Sequence, residues 1–138
     1  MSKTFAADLA AFRDKTKAQM QAVLSASVQD VLEEAQKPVA QGGRMPVDTG
    51  FLRNSLVCEL NGSQIGTGAT SYTLAVAGME PGDIARFGWT AAYALRMELG
   101  FVGEDSLGRT FNQQGRHFVE GAAAQWPQIV AKNIGRLK

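Results

Sequence analysis

The stretch LVCELNGSQIGTGATSYTLAVAG, residues 56–78, decides the fold class. LVCELN and SQIGTGA alternate apolar and polar side chains or are β-branched, the period-two pattern of a half-buried strand. Between them Asn61-Gly62 is the dipeptide that most readily adopts the positive φ angles of a two-residue hairpin turn. SYTLAVAG continues in the same style, with Tyr72, Leu74 and Val76 on one face of a strand. Two or three antiparallel strands are therefore expected between residues 56 and 78.

On the amino-terminal side the period changes. Phe5, Leu9, Phe12, Met20, Val23, Leu24, Val28, Val31, Leu32 and Ala35 recur at three- and four-residue steps, with Asp8, Arg13, Lys15, Lys17, Gln21, Asp30 and Glu33 between them. This is an amphipathic helix over residues 4–36, stopped by Pro38. Helices in globular proteins average about 11–12 residues. One this long either packs across a sheet or projects towards a neighbouring subunit. PVAQGGRMPVD (38–48) follows, with Gly42-Gly43 and a proline near each end, and its composition predicts a mobile loop.

On the carboxy-terminal side MEPGDIARFGW (79–89) is expected to be a loop turning at Pro81-Gly82. TAAYALRMEL (90–99) suits a short helix capped by Thr90 and ended by Gly100. Residues 101–116 hold Gly103, Gly108 and Gly115 among polar side chains, the pattern of an exposed loop or loose hairpin. The last stretch, from His117 on, places Phe118, Val119, Ala122, Trp126, Ile129, Val130 and Ile134 on one helical face, interrupted at Pro127. The expected fold is α+β: a long N-terminal helix and a C-terminal helix packed on a small antiparallel sheet, one domain over residues 1–138.

Composition narrows the function classes. The 138 residues are 45% hydrophobic and 20% charged, enough apolar material for one core. No run of about 18 apolar residues could cross a membrane. MSKTFAADLAAFRDK lacks the apolar stretch of a signal peptide, so synthesis in the cytoplasm is expected. Cys58 is the only cysteine, which excludes an internal disulfide, and its place in LVCEL predicts a small buried hydrophobe. Fourteen basic and thirteen acidic residues give a net charge of +1, with no basic excess for nucleic acid. A nucleic-acid-binding module would need Lys3, Arg13, Lys15, Lys17, Lys132, Arg136 and Lys138 on one side.

One motif invites a catalytic reading. Asp48-Thr49-Gly50 matches the loop of aspartic proteases, where two such carboxylates share a proton, and a homodimeric protease using Asp48 is the alternative it supports. The setting argues against it. Pro46 interrupts any strand leading into Asp48, and the bulky Phe51 follows Gly50. Asp48, Thr49 and Gly50 are instead expected to cap a short helix through FLRNSL. His117, the sole histidine, has no Gly-x-Ser-x-Gly partner motif. GTGAT (66–70) lacks the Gly-Lys-Ser/Thr ending of a phosphate loop. Glu104 and Asp105 lack a third oxygen at calcium-loop spacing. No enzyme, cofactor or metal is expected. Arg53 and Glu98, each beside a leucine on a short element, are expected to form a buried or half-buried ion pair.

The order of segments resembles a known family. PVDTGFLRNSL (46–56), YALRMELG (93–100) and GRHFVEGAAAQW (115–126), behind a long first helix, are similar to the neck and tail-completion proteins of long-tailed bacteriophages. The resemblance covers nearly the whole chain. It implies a structural virion protein, made in the bacterial cytoplasm, that forms a closed ring of roughly six or twelve copies at the head–tail interface. Such a ring joins the portal-side connector to the tail-terminator or tail-tube proteins, leaves a channel through which DNA passes, and touches no membrane. Phe87, Trp89, Phe101 and Phe111, in glycine-rich stretches, are expected as subunit-interface anchors, with Arg109 and Arg116 as matching charges. The 101–116 segment is expected to be mobile in the free chain and ordered against a neighbour.

Overall fold

Thr4 opens the longest element of the chain: its hydroxyl accepts a hydrogen bond from the Ala7 amide at 3.1 Å, and helix α1 runs from Phe5 to Ala35. The computed structural model describes residues 4–104 and 106–137, so Lys3, Asp105 and Lys138 lie outside the described residues. None of the helices described is long and apolar enough to cross a membrane. The architecture is α+β, with α1, a C-terminal helix and small antiparallel sheets.

Pro38 does stop the helix, but the segment after it is no mobile loop. The Val39 amide donates to the Met45 carbonyl at 3.0 Å, and the Met45 amide donates to the Lys37 carbonyl at 3.2 Å. Together they draw residues 37–45 into a closed loop around the fully buried Met45. Gly43 is required there, because a Cβ would run into the Lys37 carbonyl.

Strand β1 (Leu56–Leu60) pairs antiparallel with β2 (Ser63–Thr67), and the turn between them has Asn61 at φ 52° and Gly62 at φ 85°, the left-handed pair that sequence predicts. The third strand is not SYTLAVAG. That segment is helix α3 (Tyr72–Gly78), following the one-turn helix α2 (Phe51–Asn54) in the chain. Its buried side chains are Tyr72 and Ala75, three residues apart, while Leu74 points to solvent. The period of burial is helical because the segment must cover the core beside β1 and β2. The edge is supplied by β3 (Ala85–Trp89), from the stretch expected to be a loop, giving the order β2-β1-β3.

One cluster of apolar side chains lies between the carboxy-terminal half of α1, the sheet and α3: Val28, Leu32, Leu56, Cys58, Tyr72, Ala75 and Met79. A second joins Met45, Leu52, Ala91, Ala94 and Phe118, with Trp89 packed against both. Buried Gln36 ties α1 to the rest. Its amide donates to the Ala69 carbonyl at 2.8 Å, and its oxygen accepts from Trp89 Nε1 at 3.2 Å. Helix α4 (Ala94–Leu99) begins later than expected, since Thr90 donates to the Ser55 carbonyl instead of capping, and Gly100 ends it at φ 89°. Residues 100–114 form a two-stranded hairpin, β4 (Gly100–Glu104) with β5 (Thr110–Gln114). The chain then gives α5 (Phe118–Ala123) and α6 (Trp126–Gly135), broken where Pro127 enters the first turn of α6. Helix α6 lies on α1, where the buried Asn133 amide donates to Ser27 Oγ and to Asp30, each at 3.1 Å.

Candidate interaction surface

The loop PVDTG keeps part of the expected cap and not its acid. Gly50, at φ 83°, is the N-cap residue of α2 and has no side chain with which to make a cap bond. Thr49 Oγ1 accepts from the Phe51 amide at 3.4 Å, and Asp48 is exposed in a bend. Backbone geometry, not a carboxylate, turns the chain into α2. No strand runs into Asp48, so the support that an aspartic protease loop takes from its strand is missing at this loop.

Arg53 and Glu98 are not paired. The Glu98 carboxylate accepts from the amides of Val119 and Glu120 at 2.9 and 2.8 Å, which places it over the amino end of α5. Free amides and the helix dipole attract an anion there, so the carboxylate is satisfied without Arg53. Arg53 turns instead into a polar cleft of about 430 Å³ that it shares with Asp30, Glu33, Glu34, Tyr72 and Lys132. Its Nε is buried without a hydrogen-bond partner. In that cleft burial raises the Tyr72 pKa above its ordinary value, the Glu33 carboxylate adds to the rise, and Arg53 opposes it.

His117, Glu98 and Glu120 are the one group among the described residues with three candidate metal-ligand atoms, all within 4.8 Å of one another. His117 Nδ1 lies 3.0 Å from Glu120 Oε2. Each Glu98 oxygen already holds a backbone amide, so the cluster acts as a clamp on the start of α5. His117 itself sits at φ 52°. Cys58, fully buried, lies 3.2 Å from Ser71 Oγ; burial raises its thiol pKa, and the Ser71 contact offsets this in part.

Of the expected interface aromatics, Phe87 and Trp89 are on β3, not in a loop. Phe87 packs on the main core, and Trp89 meets Phe118 edge-to-face at 5.3 Å. Both are half-buried and serve the fold. Phe101 and Phe111 lie across the β4–β5 hairpin with ring centroids 6.3 Å apart. Arg96 stands 4.1 Å over the Phe101 ring, and Arg109 6.0 Å from that of Phe111. Arg116 is exposed at the hairpin's base, its amide donating to the Met97 carbonyl. Outward from the hairpin point Val102 and Leu107, 78% and 75% exposed.

Three of the basic residues that a nucleic-acid module would need have partners of their own. Arg13 pairs with Asp14 at 3.2 Å, Lys132 with Asp30 at 3.5 Å, and Arg136 donates to Asn133.

An extended apolar surface lies outside the expected anchors. From Thr4 to Met20 every residue of the chain is exposed except the half-buried Ala10 and Thr16. Phe5, Leu9, Phe12 and Met20 are 78%, 52%, 70% and 57% exposed. Where α6 reaches α1, this face becomes the wall of an apolar groove of about 560 Å³, lined by Met20, Val23, Leu24, Trp126, Val130 and Ile134 among others. The signal for it was present in the sequence as an apolar periodicity longer than the small core could cover. No protein-family model, curated protein or solved structure matches the chain.

Proposed function

We propose that the chain is a structural, non-enzymatic ring component of a phage neck, joining the head-side connector to the tail and leaving a passage for DNA. Two lines support this. The first is the order of PVDTGFLRNSL, YALRMELG and GRHFVEGAAAQW along the chain. The second carries the reading: a small body bears two apolar arms, the amino-terminal half of α1 and the β4–β5 hairpin, on which Phe5, Phe12 and Val102 are 78%, 70% and 78% exposed. An isolated two-stranded hairpin is marginal in water, and a hydrophobic surface of this kind is suited to a partner. Heterologous contacts between such arms and neighbouring bodies close a ring of roughly six or twelve copies.

The test is genetic and structural. Particles made without this chain should accumulate as separate heads and tails. Val102→Glu with Phe111→Glu, on exposed positions that leave the core intact, should give the same defect while the purified variant melts like the wild type. Imaging of joined particles should place a ring of this chain at the neck. A single copy there, or joined particles in its absence, would overturn the reading.

A further inference from the structure

We propose that Asn61 is a deamidation site, held in check by its own turn and hydrogen bonds, whose conversion to aspartate or isoaspartate loosens the segment from Met79 to Ile84. Asn61 is the asparagine of the chain that precedes a glycine; Asn54, Asn112 and Asn133 precede Ser55, Gln113 and Ile134. Cyclisation brings the following main-chain nitrogen onto the asparagine side chain, and a glycine puts no Cβ in the way. Asn61 and Gly62 are both exposed at the tip of the β1–β2 hairpin, where water reaches them. The Gly62 nitrogen attacks Cγ of Asn61. The bond from that nitrogen to Cγ forms, the Cγ–Nδ2 bond breaks, and Nδ2 leaves as ammonia with the Gly62 amide proton. Water then opens the cyclic imide. Cleavage between the Gly62 nitrogen and Cγ leaves aspartate, and cleavage at the Asn61 main-chain carbonyl carbon leaves isoaspartate, with the chain routed through Cγ. Water is consumed and ammonia released, with no change of oxidation state.

The folded turn restrains the first step. Asn61 at φ 52° and Gly62 at φ 85° form the mirror image of a type I turn. In that turn the Gly62 nitrogen stands anti to the Asn61 Cβ across the Cα–C bond, out of reach of Cγ. The side chain is tied away as well. Its Oδ1 accepts from the Ile84 amide at 3.0 Å, and its Nδ2 donates to Asp83 Oδ1 at 3.1 Å. The Asn61 amide in turn donates to the Ile84 carbonyl at 2.8 Å. Attack therefore waits until the turn opens and both side-chain bonds break.

The same bonds decide what conversion does. Nδ2 is the donor that lets the Asn61 side chain lie beside the Asp83 carboxylate. An aspartate in its place sets two carboxylates side by side. Isoaspartate instead lengthens the main chain at the rung where Asn61 meets Ile84, just beyond the Leu60–Ala85 pair of β1 and β3. Either product withdraws a support from residues 79–84. The supports left are the Glu80 amide on Asp83 Oδ2 at 2.8 Å and Gln21 Nε2 on the Met79 carbonyl at 3.1 Å. Pro81 and Gly82 belong to the wall of the apolar groove between α1 and α6, so that wall loosens as the chain ages. None of this chemistry depends on a place in the phage neck.

The experiment ages the purified full chain in mildly alkaline buffer and reads each asparagine by peptide mass spectrometry with an isoaspartate assay. Conversion should concentrate at Asn61. In the folded chain it should run at least about fivefold slower than in the same chain held in urea, because the turn and two hydrogen bonds must open first. Asp83→Ala removes one of those bonds and should speed conversion of the folded protein about two- to tenfold, with circular dichroism verifying that the variant is folded. Asn61→Asp makes one product directly and should raise hydrogen exchange across residues 79–84 while the amides of α5 keep theirs. Equal rates with and without urea, no acceleration by Asp83→Ala, or conversion at Asn61 no faster than at Asn54 and Asn112 would overturn the proposal. So would unchanged exchange across residues 79–84 in Asn61→Asp.

Discussion

The Glu98 carboxylate holds the Val119 amide at 2.9 Å, and with it the neighbouring Glu120 amide, so a residue on α4 caps the helix that begins twenty residues later. Between them lies the whole β4–β5 hairpin, whose base is closed by the Arg116 amide on the Met97 carbonyl and the His117 amide on the Glu98 carbonyl. The Glu98 side chain thus adds to these backbone bonds in fixing the base of the arm. Glu98→Ala should cost about 0.5–2 kcal/mol, the usual range for a lost cap. Glu98→Gln keeps an acceptor but loses the charge at the helix terminus, and should cost about 0.3–1 kcal/mol. Denaturant titrations of the two variants check the order. Equal stability of Glu98→Ala and wild type would show that the cap contributes nothing.

At the Asp-Thr-Gly loop the glycine should matter more than the acid. Gly50 sits at φ 83°, where any Cβ costs about 1–2 kcal/mol. Asp48 is exposed, and Asp48→Leu should stay within about 0.5 kcal/mol of wild type. Melting curves of Gly50→Ala and Asp48→Leu test this; the reverse order would reinstate Asp48 as the cap.

Two glycines without positive φ should respond oppositely. Gly43→Ala pushes a methyl group into the Lys37 backbone and pries open the loop that buries Met45, a steric cost of about 1–3 kcal/mol. Gly88 has open space where its Cβ would stand. Gly88→Ala should be tolerated within about 1 kcal/mol. Urea midpoints of both variants decide it.

Cys58 should ignore thiol reagents in the folded chain. It is fully buried and its pKa is raised by desolvation, so little thiolate exists near neutral pH. Labelling by a maleimide should run at the rate of unfolding and accelerate in denaturant. Rapid labelling of native protein would contradict the burial.

Asp83 gives a pH signature. Its carboxylate accepts from the Glu80 amide at 2.8 Å and from the Asn61 amide group at 3.1 Å, and these bonds hold its pKa below the ordinary value of 3.8. A depressed folded pKa adds stability that is fully present above the unfolded value and is lost as pH falls through the folded one. The stability difference between wild type and Asp83→Ala should therefore be flat above about pH 5 and shrink below about pH 4. A gap that widens on acidification would refute the linkage.

Local chemistry made much of this chain legible. The Asn61-Gly62 turn, the strands either side of it, the length of α1 and the break at Pro127 all follow from residues acting on their immediate neighbours, and the structure has them. Where long-range packing decides, the sequence is ambiguous. SYTLAVAG and ARFGW are both short apolar runs, and neither period nor propensity tells which will be the strand. The sheet chose β3 because its residues could pair along β1, leaving Tyr72 and Ala75 to cover the core from a helix. Glu98 illustrates the same limit. Its partner was legible only as a charge to be satisfied, and the fold met it with two amides of a distant helix instead of Arg53. Periodicity alone marked an apolar face along α1, but not where the core would cease to cover it. That boundary, near Met20, is set by where α6 ends against α1, a distance no local pattern encodes.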